Sequence, residues 1–135
     1  METMKTSIEK LINSGVITSN TMFRYLLREQ NLDYDFIETV YRLKPDWMVY
    51  CNNSWFDYSN ELHNKLARLY IEDTSATPLF IALLKEDKTL ENLLLNLGAD
   101  VNDVVWVLRE GFFVYGLERT RSLLSEMKSP AHAVK

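Results

Sequence analysis

The sequence predicts an all-α protein built from stacked helix pairs, and three observations carry that expectation. Gly and Pro are scarce, four and three in 135 residues. The long segments between them repeat apolar residues at helical spacing with little alternation. Cap residues recur where one helix should stop and the next begin.

The elements follow in order. Thr6-Ser7-Ile8-Glu9 reads as a capping box that starts a first helix with Ile8, Leu11 and Ile12 on its apolar stripe, and Gly15 supplies a left-handed end. Ser19 or Asn20 can cap a second helix carrying Met22, Phe23, Leu26 and Leu27, which should end near Asn31. Asp33 or Asp35 can cap a third with Phe36, Ile37, Val40 and Leu43, stopped by Pro45. Residues 46–58 hold five apolar residues in a row, which fit a buried helical turn or a strand; a helical turn is expected. Ser59 opens a helix with Leu62, Leu66, Leu69 and Tyr70. Thr77-Pro78 places proline at a first helical position, where its missing N–H costs nothing, and Leu79, Ile81, Ala82 and Leu83 follow. Thr89 can cap a helix with Leu90, Leu93, Leu94 and Leu97, terminated by Gly98. Asp103 is expected to cap a short helix over Val104, Val105, Trp106 and Leu108. After Gly111 a final helix carries Leu117, Leu123, Leu124 and Met127. One helical domain is expected over 1–128, with 129–135 as a frayed tail. Second members of the pairs begin near 35, 59, 89 and 117, a loose period in the range of helix-pair repeats.

The segment Thr77-Pro78-Leu79-Phe80-Ile81-Ala82, followed by Leu93-Leu94-Leu95-Asn96-Leu97-Gly98-Ala99-Asp100-Val101-Asn102, closely resembles an ankyrin repeat. That family runs Thr-Pro-Leu-His-Leu-Ala-Ala, a turn, a second helix ending in Leu-Leu, then Gly-Ala-Asp-Val-Asn. The best match spans 74–103. Phe80 stands in place of the family's histidine, Glu86 in place of its inter-helix glycine, and Glu91 where a buried valine is usual. Weaker matches cover 22–46 and 104–128. In the latter, a 33-residue shift lays Phe112-Phe113-Val114-Tyr115-Gly116 over Leu-His-Leu-Ala-Ala. The resemblance implies a short ankyrin-like α-solenoid of about three to four antiparallel helix pairs, interrupted by irregular aromatic-rich segments; at least ~3 stacked units are needed to bury such a core.

Charge is unevenly placed. Residues 1–28 hold four basic and two acidic groups, 29–103 six and fourteen, and 104–135 five and three, for a net of -4. An acidic middle repels phosphate backbones, so nucleic acid is disfavoured as a partner. Catalytic groups do not converge. Cys51 lies in an apolar run, His63 falls on the polar side of its helix, and His132 lies in the tail. Asp33/Asp35, Glu72/Asp73, Glu86/Asp87 and Asp100/Asp103 sit at helix starts or turns, where capping explains them. Neither a Gly-rich phosphate loop nor metal-ligand spacing is present. No enzyme activity, cofactor or metal is expected. A single cysteine and the absence of an apolar run of ~18 residues suggest a reducing, cytoplasmic setting without membrane attachment.

These features predict a non-catalytic protein-binding module, an adaptor or an inhibitor that occupies a partner surface. The resemblance implies docking on the hairpin tips and the exposed side of each first helix. Here those positions are Asp73, Thr74, Ala76, Leu84, Lys85, Trp106, Val107 and Arg109. Acidic residues would steer a basic partner. Divergent arrays of this sort resemble virus- or pathogen-encoded proteins directed at host factors. Trp47, Trp55, Phe56, Tyr58, Trp106, Phe112, Phe113 and Tyr115 form an aromatic surplus that serves either as core filler or as partner anchors. Two alternatives remain. One is a nucleic-acid-associated regulator using Lys5, Lys10, Arg24, Arg28, Arg109, Arg119, Arg121 and Lys128. The other is a structural homo-oligomer, such as a homodimer, closing through the aromatic surface.

Overall fold

The computed structural model describes residues 3–49, 74–108 and 112–128. Among them are six α-helices, one 3-10 turn and a small sheet. The first helix, α1 (Met4–Asn13), is capped by Thr3, whose side chain accepts from the Thr6 N–H; Thr6 therefore lies inside the helix and is not its cap. Thr18 caps α2 (Ser19–Arg28) through a reciprocal pair with Thr21 at 3.1 and 2.8 Å, one residue before the expected Ser19. Asp33 caps α3 (Tyr34–Leu43), and Pro45 ends it and starts the 3-10 turn Pro45–Met48. The helix expected after Ser59, and residues 50–58, lie outside the described residues.

Strand β1 (Thr74–Ala76) leads into α4 (Pro78–Leu84) and α5 (Lys88–Asn96). Pro78 occupies the first turn as expected, but Thr77 does not cap with its side chain. Its N–H and hydroxyl both donate to the Val104 carbonyl, at 3.2 and 2.8 Å, tying the start of α4 to the chain that returns beside it. Asp87, and not Thr89, caps α5 by accepting from the Leu90 N–H at 3.0 Å. The chain then forms β2 (Val105–Leu108) and β3 (Phe112–Tyr115) before α6 (Leu117–Lys128).

The predominantly helical content agrees with the all-α expectation, and a three-stranded antiparallel sheet of order β1-β2-β3 is added to it. Two local expectations are corrected. Asp103 does not cap a helix, because Val104-Val105-Trp106-Val107-Leu108 is rich in β-branched and aromatic residues and pairs as a strand on both sides. Phe112–Tyr115 is likewise a strand, not the opening of a first helix. The hairpin delays α6 to Leu117, 39 positions after Pro78, so the 33-residue shift misplaces it.

The helices pack in two rows. α2, α4 and α6 neighbour one another in sequence along one row, and α1, α3 and α5 along the other, while α4 also packs on α5 and on β1. α2 and α3 meet through Tyr25 set edge-on to Phe36, ring centroids 5.6 Å apart. The core runs between the rows through Phe23, Leu26, Ile37, Val40, Tyr41, Leu90 and Leu94. α4 is buried on all sides, from Pro78 through Leu83, Phe80 included. A helix apolar all round belongs at the centre of a fold, and each such side chain contributes roughly 1.5–3 kcal/mol by leaving water.

Three helix ends repeat one hydrogen-bonding pattern. At Gly15 (φ 82) and Gly98 (φ 100) the chain turns left-handed, and the residues on either side donate back into the last turn in matching fashion. The third end is at Glu86, with φ 57, where Glu86 and Asp87 donate to Leu83 and Ala82. It is the one non-glycine with positive φ among the described residues.

Candidate interaction surface

Strand alternation divides the sheet into two faces. Ala76, Val105 and Tyr115 stand opposite one another across the three strands, and the first two are fully buried against the core. Ser75, Trp106 and Val114 form the neighbouring row on the other face. Val114 is 42% exposed and Trp106 is half-buried, its indole N–H donating to the Asp103 carboxylate. Beside the sheet, the turn at Val101 and Asn102 packs on Gly116, and the Leu117 N–H donates to the Val101 carbonyl at 2.7 Å. Val101 is itself exposed. An open crevice of about 360 Å³ runs between this turn and the first turn of α6, lined by Val101, Asn102, Gly116, Leu117, Glu118 and Arg119. The Arg119 guanidinium lies over the Tyr115 ring, 4.5 Å from its centroid. Glu118 is exposed in the crevice lining, and Asp100, exposed one residue before Val101, accepts from the Asn102 N–H at 2.8 Å.

The expected partner-binding residues separate into three groups. Thr74, Ala76, Trp106 and Val107 are brought together: Thr74 faces Val107, Ser75 faces Trp106 and Ala76 faces Val105. Of these, Ala76 is fully buried, so its side chain packs inward. Leu84 and Lys85 end α4, both half-buried, away from that cluster. Lys85 points inward as well: its ammonium donates to the carbonyls of Leu26 and Glu29, at 2.7 Å each, closing the C-terminal end of α2. Partial burial holds its pKa below the usual lysine value, against the opposing pull of Asp87 and Glu29. Asp73 and Arg109 lie outside the described residues. The exposure of Val114 and Val101 escapes the sequence reading, and Tyr115 and Arg119 appear there only separately, in the aromatic surplus and in the basic set, not as a stacked pair. The signal that could have found them is the β-branched, aromatic run on either side of Gly111, which marks a hairpin with one outward face.

Charged side chains elsewhere serve the packing. Glu91 is 5% exposed, with Arg121 hydrogen-bonded to its carboxylate and the Lys88 ammonium at 3.5 Å. The Tyr34 hydroxyl donates to the Asp87 carboxylate at 2.7 Å, linking the start of α3 to the cap of α5. That bond raises the Tyr34 pKa, with burial and the Asp87 charge adding to the rise. Among the described residues no group of three or more His, Cys, Asp or Glu side chains is placed to hold a metal ion, and no helix is long and apolar enough to cross a membrane. No family model, curated protein or solved structure matches the chain.

Proposed function

We propose that this chain is a short, divergent ankyrin-like array acting as a non-catalytic protein-binding module, an adaptor or inhibitor that works by covering a partner surface. The observation that carries the reading is the pairing of Thr74 with Val107, 33 positions apart. It joins the strand before one helix pair to the strand after it at the family's own repeat length. The left-handed Glu86, standing where the family has glycine, and the two rows of helices support the same architecture.

In this reading the docking surface is the outward face of the sheet, with Trp106 and Val114 as apolar anchors and Val101 beside them. The exposed Asp100 and Glu118, flanking Val101 in sequence and in the crevice, favour a partner with a basic surface. A cytoplasmic, reducing location and a target such as a host factor belong to the same proposal. The test is affinity purification of the tagged protein from its native host against a Val114→Asp variant. Val114 is exposed, so the variant should fold, and it should lose at least tenfold of the specifically bound partner. Equal recovery by both proteins would place the docking surface elsewhere.

A further inference from the structure

Asp103 carries a charge for which the fold has no use. It caps no helix, and among the described residues its side chain makes one hydrogen bond, in which Oδ1 accepts from the Trp106 indole N–H. A half-buried indole needs an acceptor, but the neutral amide oxygen of an asparagine would serve it equally. Other carboxylates in the structure are put to work as charges. Glu91 pairs with Arg121, and Asp87 caps α5 while accepting from Tyr34. Asp103 is itself half-buried and forms no ion pair with any described residue.

The neighbourhood does not neutralise it. Among the described residues, the three strands, the turn from Asp100 to Asp103 and the first turn of α6 hold three carboxylates, on Asp100, Asp103 and Glu118, against the single cation of Arg119. The Arg119 guanidinium lies over the Tyr115 ring and pairs with none of the three. The turn that bears Asp103 is also held in place. The Asp100 carboxylate accepts from the Asn102 N–H at 2.8 Å, and the Val101 carbonyl accepts from the Leu117 N–H at 2.7 Å, with Gly116 packed against it. A charge that is fixed, partly desolvated and uncompensated favours a cation brought by a partner, and little ordering remains to be done when it arrives.

We propose that Asp103 is the specificity-determining residue of the sheet surface, and that it selects a protein segment presenting an arginine or lysine beside an apolar residue. The inference rests on the reading of the outward sheet face as the docking surface. The basic head donates to Oδ2, the carboxylate oxygen that the indole leaves open, in a charge-assisted hydrogen bond. The aliphatic stem lies along Trp106. The adjoining apolar residue meets Val114, which stands opposite Trp106 in the next strand and is 42% exposed. Asp100 and Glu118 add attraction at longer range, and the same three carboxylates repel a phosphate or an acidic segment.

Selection from a library of displayed random peptides tests it, with the full chain, Asp103→Asn and Val114→Asp as baits. The parent should enrich peptides that carry an arginine or lysine at a constant distance from an apolar residue. Asp103→Asn keeps an acceptor for the indole, so the thermal transition and the Trp106 indole N–H signal in NMR should stay in place. The variant should nevertheless bind the best parent-selected peptide at least ~tenfold more weakly. Replacing the basic residue of that peptide with glutamine should cost the parent as much and cost Asp103→Asn little more, the coupling expected of two groups in contact. Enrichment of peptides without a basic residue, or equal binding by Asp103→Asn, would overturn the inference and leave the docking surface standing. Enrichment undiminished on Val114→Asp would overturn the surface and the inference with it, as would a parent that enriches no peptide.

Discussion

Lys85 donates a 2.7 Å hydrogen bond to the backbone carbonyl of Glu29, and a second to Leu26, across 56 and 59 positions of sequence. The last carbonyls of α2 have no partner within their own helix, and this ammonium at the end of α4 supplies one. It also fastens the first two helices of that row to each other. Replacing Lys85 with Met keeps the aliphatic stem and removes the donor. The expected cost is about 1–2 kcal/mol in urea unfolding, with little change in the binding of a partner at the sheet.

Glu86 holds φ 57 between α4 and α5, a conformation that glycine adopts without a side-chain penalty. Glu86→Gly should stabilise the protein by about 0.5–1 kcal/mol, the strain relieved exceeding the extra freedom given to the unfolded chain. Glu86→Val should do the opposite by a similar or larger amount. Paired thermal melts of the two variants check the sign.

The buried carboxylate of Glu91 depends on Arg121. Arg121→Met leaves that charge, among the described residues, with the more distant Lys88 alone and should cost about 2–3 kcal/mol, whereas adding Glu91→Val should restore most or all of it. A double-mutant cycle in denaturant measures the coupling. Recovery of stability in the double variant is the informative result, because it separates a stranded charge from lost packing.

Gly116 is needed for a different reason. A Cβ there would lie 2.8 Å from the Val101 carbonyl oxygen, a backbone atom that cannot swing aside. Gly116→Ala should therefore cost about 2 kcal/mol, and hydrogen exchange should show the Leu117 amide losing protection.

Tyr41 is 1% exposed, and burial raises the pKa of its phenol well above the unperturbed 10.0. The unfolded chain therefore releases this proton at lower pH than the folded one. The resulting stability is fully present below pH 10 and is lost as pH rises above it, at about 1.4 kcal/mol per pH unit. Tyr41→Phe should abolish that part of the alkaline slope. Its hydroxyl makes no hydrogen bond to the described residues, so the variant should be at least as stable as the parent at pH 7. Urea midpoints from pH 8 to 11 for both proteins check this.

What could be read from the sequence was mostly local. Pro45 and Pro78 mark element boundaries, Gly15 and Gly98 turn left-handed, and Met22, Phe23, Leu26 and Leu27 line one buried face, all as their chemistry predicts. The misses have physical causes. Val104–Leu108 is a short unbroken apolar run, to which helical periodicity assigns nothing; only its β-branched content pointed to a strand. Lys85 reads as free for a partner in the sequence because its acceptors are backbone carbonyls 56 and 59 positions away. Ala76 is small enough to pass for a tip residue, but its register opposite Val105 turns it inward. Trp106 stands out by residue type alone, whereas its neighbour in the same surface row, Val114, is hidden by a repeat alignment that makes a helix of a strand.

Site-specific photo-cross-linking most directly tests the claim that the outward sheet face is where this protein meets its partner. A photoreactive residue is placed at Val114 and, separately, at Asn92, exposed on α5, and each protein is irradiated in extract of the native host. A discrete cross-linked protein is expected from position 114 and none, or at least tenfold less, from position 92. A cross-link of equal strength at both positions, or at 92 alone, would contradict it.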